Sequence, residues 1–170
     1  MNRPKPGDYI PYYDNYISKI EGNDAIKVFE EQLNNTFKLI NSIPESKGKF
    51  SYAEGKWSIK EVIGHIIDTE RVFAYRALCI ARGEKKSLPG FEQDDYIQTA
   101  GFNYRKISDL ANEYKKVREA NILLFKSFDE NALNRRGLAN NNEITVNAIL
   151  FIIAGHENHH LDIMKAKYLN

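Results

Sequence analysis

Cysteine is almost absent from this sequence: Cys79 is the only one in 170 residues. A single thiol excludes an internal disulfide and every C-x-x-C metal pattern. It also fits a reducing compartment, so a cytoplasmic protein is expected. No stretch approaches the ~18 consecutive apolar residues of a membrane-crossing helix, so no membrane partner is expected. The opening segment, "MNRPKPGDYIPYYDNY", lacks the apolar run of a secretory signal. Neither charge sign is in excess, since 24 Lys and Arg face 23 Asp and Glu, a net of +1. That balance speaks against nucleic acid as a partner. Histidine is also scarce. There are four, and three of them fall in one hexapeptide, "GHENHH", Gly155 to His160.

What is present is an ordinary globular balance, 42% hydrophobic and 28% charged, enough for one domain over 1–170 with a sizeable core. Residues 1–22, with Pro4, Pro6, Pro11 and four tyrosines, read as an extended arm packed on the body. Helical spacing then appears four times. The first run, capped by Asn23 or Asp24, carries Ile26, Phe29, Leu33, Phe37 and Ile40 and stops before Pro44. The second opens at Ser58 with Glu61 as a capping box and runs to about Arg82. One of its stripes is Val62, His65, Thr69, Val72, Arg76 and Cys79; another is Ile59, Ile63, Ile66 and Ile67. The third carries Ile107, Leu110, Tyr114, Val117, Asn121, Leu124 and Phe128. The fourth starts near Thr145 and runs almost to the end. The expected fold is all-α, a four-helix bundle with two long connections, about 43–57 and 83–105.

On a helical wheel at about 100° per residue, His156 lies at the centre of an apolar stripe with Ile149, Ile152, Ile153 and Ile163. His160 lies about 40° away on that wheel and one turn further on, whereas His159 lies about 60° to the other side. Imidazoles at i and i+4 can grip one metal ion. His65, the remaining histidine, also points inward, from the second helix. A lone buried histidine is ordinarily a satisfied core residue. Burying several without a partner is costly, and a shared metal removes that cost.

"HENHH" also matches H-E-x-x-H, the zinc-protease helix in which the Glu acts as general base. That chemistry takes its third ligand from further along the chain. The residues after His160 include no His or Glu. Asp162 points off the stripe, so a third ligand has to come from upstream, and His65 is the best placed. Glu157, at the stripe's flank, is a candidate catalytic base, a partner of the ligands or a surface residue.

The segments "PKPGDYIPYYDNYI", "GKWSIKEVIGHIIDTERVFAYRAL", "LPGFEQDDY" and "IAGHENHHLDIMK" together resemble the DinB-like superfamily, over nearly the whole chain. The likeness is greatest to members described as metal-dependent hydrolases, related to bacillithiol S-transferases. The resemblance implies a bundle with non-sequential, up-down-down-up helix order and a homodimer. It implies a divalent metal, zinc or nickel, held by His65, His156 and His160, with His159 outside that triad. It further implies a small-molecule substrate and, in several relatives, a thiol cosubstrate such as bacillithiol or mycothiol.

Three neutral imidazoles leave a metal its full charge and an open position, the catalytic pattern for zinc. Activated water would make a hydrolase; a bound thiolate would make an S-transferase. Glu61, Asp68 and Glu157 are candidates to orient the ligands; each is equally readable as a capping or solvated carboxylate. Thr69 and Arg76 share the face of His65, and Arg76 could meet an anionic substrate or pair with an internal acid. Trp57, Phe91, Asp94 and Tyr96 could roof a pocket or simply pack. The alternatives are a non-catalytic, metal-stabilised dimeric bundle and a metallopeptidase using Glu157.

Overall fold

In a computed structural model the chain is described from residue 2 to residue 169. Its helices are α1 (Asp14–Ile17), α2 (Ala25–Ser42), α3 (Ile59–Ala81), α4 (Gln93–Ala100), α5 (Ile107–Lys126), α6 (Glu130–Leu133) and α7 (Val146–Lys167), with strands β1 (Arg136–Ala139) and β2 (Asn142–Thr145) before α7. The starts follow from local chemistry. Asp24 accepts from the amides of Ile26 and Lys27, Ser58 and Glu61 form the capping box, and Thr145 accepts from Ala148. The four long helices make the bundle.

Their order is not sequential. α2 packs on α5 and α7, and α3 packs on α7 and α5. Helices consecutive in the chain, α2 and α3, therefore sit on a diagonal. Direction follows from matched pairs. Glu45 accepts from Lys60 and from the amide of Ile107, and Glu70 accepts from Arg118, so α3 and α5 run parallel. Glu30 meets Lys126 and Gln32 meets Arg118, so α2 opposes α5. Gln32 donates to the carbonyl of Ala154 and Thr36 to Glu157, one turn further along both helices, so α2 and α7 run parallel. The pattern is up, down, down, up. Parallel neighbours need a return crossing, which explains the long connection between α3 and α5.

That connection is less irregular than the sequence reading had it: it contains α4 and a 3-10 turn, Phe102–Tyr104. The ring of Phe102 lies against Gly64, where a Cβ would overlap it. The N-terminal arm is likewise not simply extended. It carries a 3-10 turn, Pro11–Tyr13, followed by α1, which packs on α7. Arg3 fixes it by donating to the carbonyls of Ile17 and Ile20. The β-hairpin, like the short helices α1, α4 and α6, has no counterpart in the four helical runs. Asn140 and Asn141 both have positive φ, 50° and 59°, the two-residue geometry whose twist suits a hairpin. Leu88 bridges onto Ala139, so the hairpin clamps the connection after α3.

Gly155 is where the arm meets α7. A Cβ there would collide with the backbone of Tyr16. Inside a helix, Gly→Ala ordinarily stabilises by about 1 kcal/mol. Gly155→Ala should instead destabilise, by about 1–3 kcal/mol, because the arm has to move. Thermal melting gives the sign, and hydrogen exchange at residues 14–20 should accelerate. A variant that melts higher than the parent would contradict this account.

Candidate metal centre

His65 is held deep in α3, 3% exposed, and His156 deep in α7, 7% exposed. Because α3 and α7 are antiparallel neighbours, the first third of one faces the last half of the other. His65 Nε2 lies 3.0 Å from His156 Nε2, and His160 Nε2 lies 3.1 Å from the same atom. One nitrogen from each ring lies within 4.8 Å of the other two. Three nitrogens at the ~2.0–2.1 Å bond length of zinc–imidazole in a tetrahedral arrangement are about 3.3–3.4 Å apart. The donor set, and the 3.0 and 3.1 Å spacing of two of its three pairs, fit a divalent ion such as zinc. They fit neutral rings badly without one: a single proton can bridge one close pair, and the remaining lone pairs face one another.

The same crowding governs protonation. Burial first, then the proximity of His160, His65 and His159, pushes His156 well below its ordinary value. Burial lowers His65 to about 4, offset only slightly by the charge of Asp94. Burial, then His65 and His159, lower His160 to about 3. All three rings are neutral at pH 7, the form that ligates metal.

Aromatic rings bracket the cluster. Trp57 sits 4.7 Å from the ring of His65 and stacks towards His160 at 6.4 Å. Tyr16 contacts both His156 and His159 edge-on at 5.4 Å. His159 thus packs on the arm, outside the convergent nitrogens. Two clefts reach the cluster. One, of about 380 Å³, is lined by His65, His156, Thr69, Arg76, Phe91 and Tyr16, among others. The other, of about 310 Å³, is lined by His160, Trp57, Asp94, Lys56 and Tyr52. Tyr12 and Tyr13 also line the first cleft, so three of the arm's four tyrosines, read from sequence as packing, face a cavity, while Tyr9 packs against the core. Asn140 and Asn142 of the hairpin line it too.

The carboxylates expected around the ligands are elsewhere. Glu61 accepts from the Ser58 amide and from Asn103. Asp68 is half-buried beside Arg71, at 3.5 Å, and burial raises its pKa. Thr69 Oγ1 does lie against His65, 3.4 Å from Nδ1. Glu157, the candidate base, is 1% exposed and turned into the core. Its oxygens accept from Thr36 at 2.6 Å, Tyr114 at 3.1 Å and Arg118 at 2.5 Å. A carboxylate so engaged has no free oxygen for water at the histidines, which corrects the base reading. Arg118, 0% exposed, also grips Glu70 through two bonds and donates to Gln32. All four long helices contribute to this network. Apolar periodicity does not reveal it, because Gln32, Thr36 and Arg118 are polar and belong to none of the apolar stripes that mark the inner faces of α2 and α5.

The sequence matches the DinB superfamily over residues 29–164, most of the chain. The chain belongs to that superfamily. A curated protein of Oceanobacillus iheyensis, provisionally named a metal-dependent hydrolase, is 24% identical over 149 residues, covering 87% of this chain and 86% of that one. YfiT of Bacillus subtilis, described as a probable metal-dependent hydrolase with an unusual four-helix bundle topology, superposes with a TM-score of 0.74 at 15% identity, over 98% of this chain and 94% of YfiT. A mycothiol-dependent maleylpyruvate isomerase superposes at 0.66 and 12% identity, over 81% of this DinB-superfamily chain and 58% of the isomerase. At these identities the structural likenesses establish the fold. No helix among the described residues is long and apolar enough to cross a membrane.

Proposed function

We propose that this DinB-superfamily protein is a metal-dependent enzyme in which His65, His156 and His160 hold one divalent ion, zinc or nickel. The observation that carries the reading is the convergence of three neutral imidazoles, two of them buried and one partly so, between two clefts. Such an ion supplies Lewis-acid chemistry that makes water or a thiol nucleophilic near neutral pH. The chain's own residues do the rest. Trp57 and Tyr16 hold the rings in place and keep bulk water from the buried side. Two clefts give separate places to two reactants, which favours transfer to a low-molecular-weight thiol of the bacillithiol type over simple hydrolysis. Proton transfer falls to Asp94, which lines a cleft, rather than to Glu157. A cytoplasmic homodimer belongs to the same reading.

The test begins with metal. Purified protein should contain about one divalent ion per chain, and His65→Ala or His156→Ala should weaken its binding at least tenfold. Stoichiometric metal surviving both changes would end the reading. Thiol-dependent consumption of an electrophile identifies a transferase, and ester turnover without thiol identifies a hydrolase. If neither occurs in the loaded protein, the metal is structural. Peptide hydrolysis abolished by Glu157→Gln with metal retained would restore the peptidase.

A further inference from the structure

The chain buries two arginines, and their surroundings differ. Arg118 has two carboxylates. Arg76, 4% exposed, has none. Among the described residues it makes one hydrogen bond, from Nη2 to the carbonyl of Pro89 at 2.7 Å, and its Nε is buried with no partner. Phe73 and Phe91 lie against the guanidinium at 4.8 and 5.8 Å. Burial pushes it below its ordinary value, and only Tyr13 and Tyr96 counteract that. An uncompensated buried charge is costly unless a ligand supplies the missing partner.

The place for that ligand is visible. Arg76 and His65 line the same cleft, with Thr69 and Phe73 between them on one face of α3. The two residues are about 16 Å apart along the axis at 1.5 Å per residue. Helical side chains lean towards the N-terminus, so Arg76 reaches back towards His65. The cleft has one guanidinium and no lysine in its lining; Glu92, exposed on its wall, makes no ion pair with Arg76. A single planar cation, walled by aromatic rings, matches a monoanion with two coplanar oxygens.

We propose that Arg76 is the substrate-recognition residue of this cleft, and that the molecule processed at the histidine cluster carries a carboxylate that Arg76 binds. The proposal rests on the metal-enzyme reading for the word substrate, but its binding claim stands apart from metal. The carboxylate end seats on Arg76 and leaves the reactive end near the histidines. Arg76 touches substrate without touching the reacting atoms, so its loss is felt in KM more than in kcat.

The experiment uses a matched pair, benzoate and benzamide, with inorganic phosphate as a third probe. Binding is followed by calorimetry and by melting temperature, on the metal-loaded protein and again after chelation. Benzoate should bind in both states, and benzamide and phosphate more weakly. Arg76→Gln should lose about ten- to a hundredfold in benzoate affinity, and Arg76→Lys less. Arg76→Met removes an unpaired buried charge, so its unliganded melting temperature should be unchanged or raised. His65→Ala should lose metal and keep benzoate binding in the chelated state. Equal binding of benzoate and benzamide, preference for phosphate, or undiminished benzoate affinity in Arg76→Gln would overturn the proposal. So would a marked loss of stability in Arg76→Met, which would make the arginine structural. Loss of the metal reading alone would show as absent metal with benzoate binding intact.

Discussion

Arg118→Ala should be the most destabilising single change in the chain, costing about 3–5 kcal/mol. Arg118 is the only cation in the buried network and neutralises both Glu70 and Glu157, each at most 2% exposed. Removing it leaves two carboxylates in the core with no counter-charge. The melting temperature should fall by about 6–20 °C for a chain of this size. The loss should depend on pH with a definite sign. Burial already raises the pKa of Glu157, while Arg118 and the hydroxyl of Thr36 pull it down. Without Arg118 the carboxyl rises further. A carboxyl whose folded pKa is raised binds more protons folded than unfolded, so stability falls as pH rises above the unfolded value of about 4.3. The variant should therefore recover part of its deficit near pH 5. Replacing Arg118, Glu70 and Glu157 together by apolar residues of similar volume should cost far less than the single change. A single variant that melts within about 2 °C of the parent would refute the central role of this network.

The network also shows what a wheel can and cannot reveal. Helix starts were legible because caps are local: Asp24, Ser58 with Glu61, and Thr145 each announce a start. The inward direction of His65, His156 and His160 was legible because apolar neighbours at helical spacing fix a face. Gln32, Thr36 and Arg118 were not, because polar residues on an inner face look identical in sequence to polar residues on an outer one. Only the partner on another helix distinguishes them, and Glu70 is 48 residues from Arg118. Glu157 fails for the same reason. Its place beside His156 suggested a base, but one step along a helix turns a side chain by about 100°, here from the cleft into the core. The hairpin 136–145 escaped because its signal, two asparagines in left-handed conformation, is conformational rather than periodic. That hairpin matters for the site, since it clamps the segment whose Pro89 carbonyl receives Arg76.

Metal-free protein should lose stability steeply between pH 7 and pH 5, and metal-loaded protein should not. The folded pKa values of His65, about 4, and His160, about 3, lie below the ordinary 6.5, and His156 is lower still than ordinary. The unfolded chain therefore binds protons that the folded chain refuses. Stability is fully present above about pH 6.5 and is lost progressively as pH falls towards the folded values. Each wholly buried ring contributes roughly 2 kcal/mol of loss by pH 5. His160 is partly exposed and contributes less, so the total is about 4–5 kcal/mol. A bound divalent ion opposes this, because it binds only the folded cluster and holds the rings deprotonated until protons displace it. Melting curves at pH 7, 6 and 5, with and without a chelator, measure both arms. His65→Gln should flatten the metal-free slope by removing one buried base. If metal-free wild type and His65→Gln decline in parallel, the acid sensitivity arises elsewhere, and the crowding of neutral imidazoles is not what shapes this site.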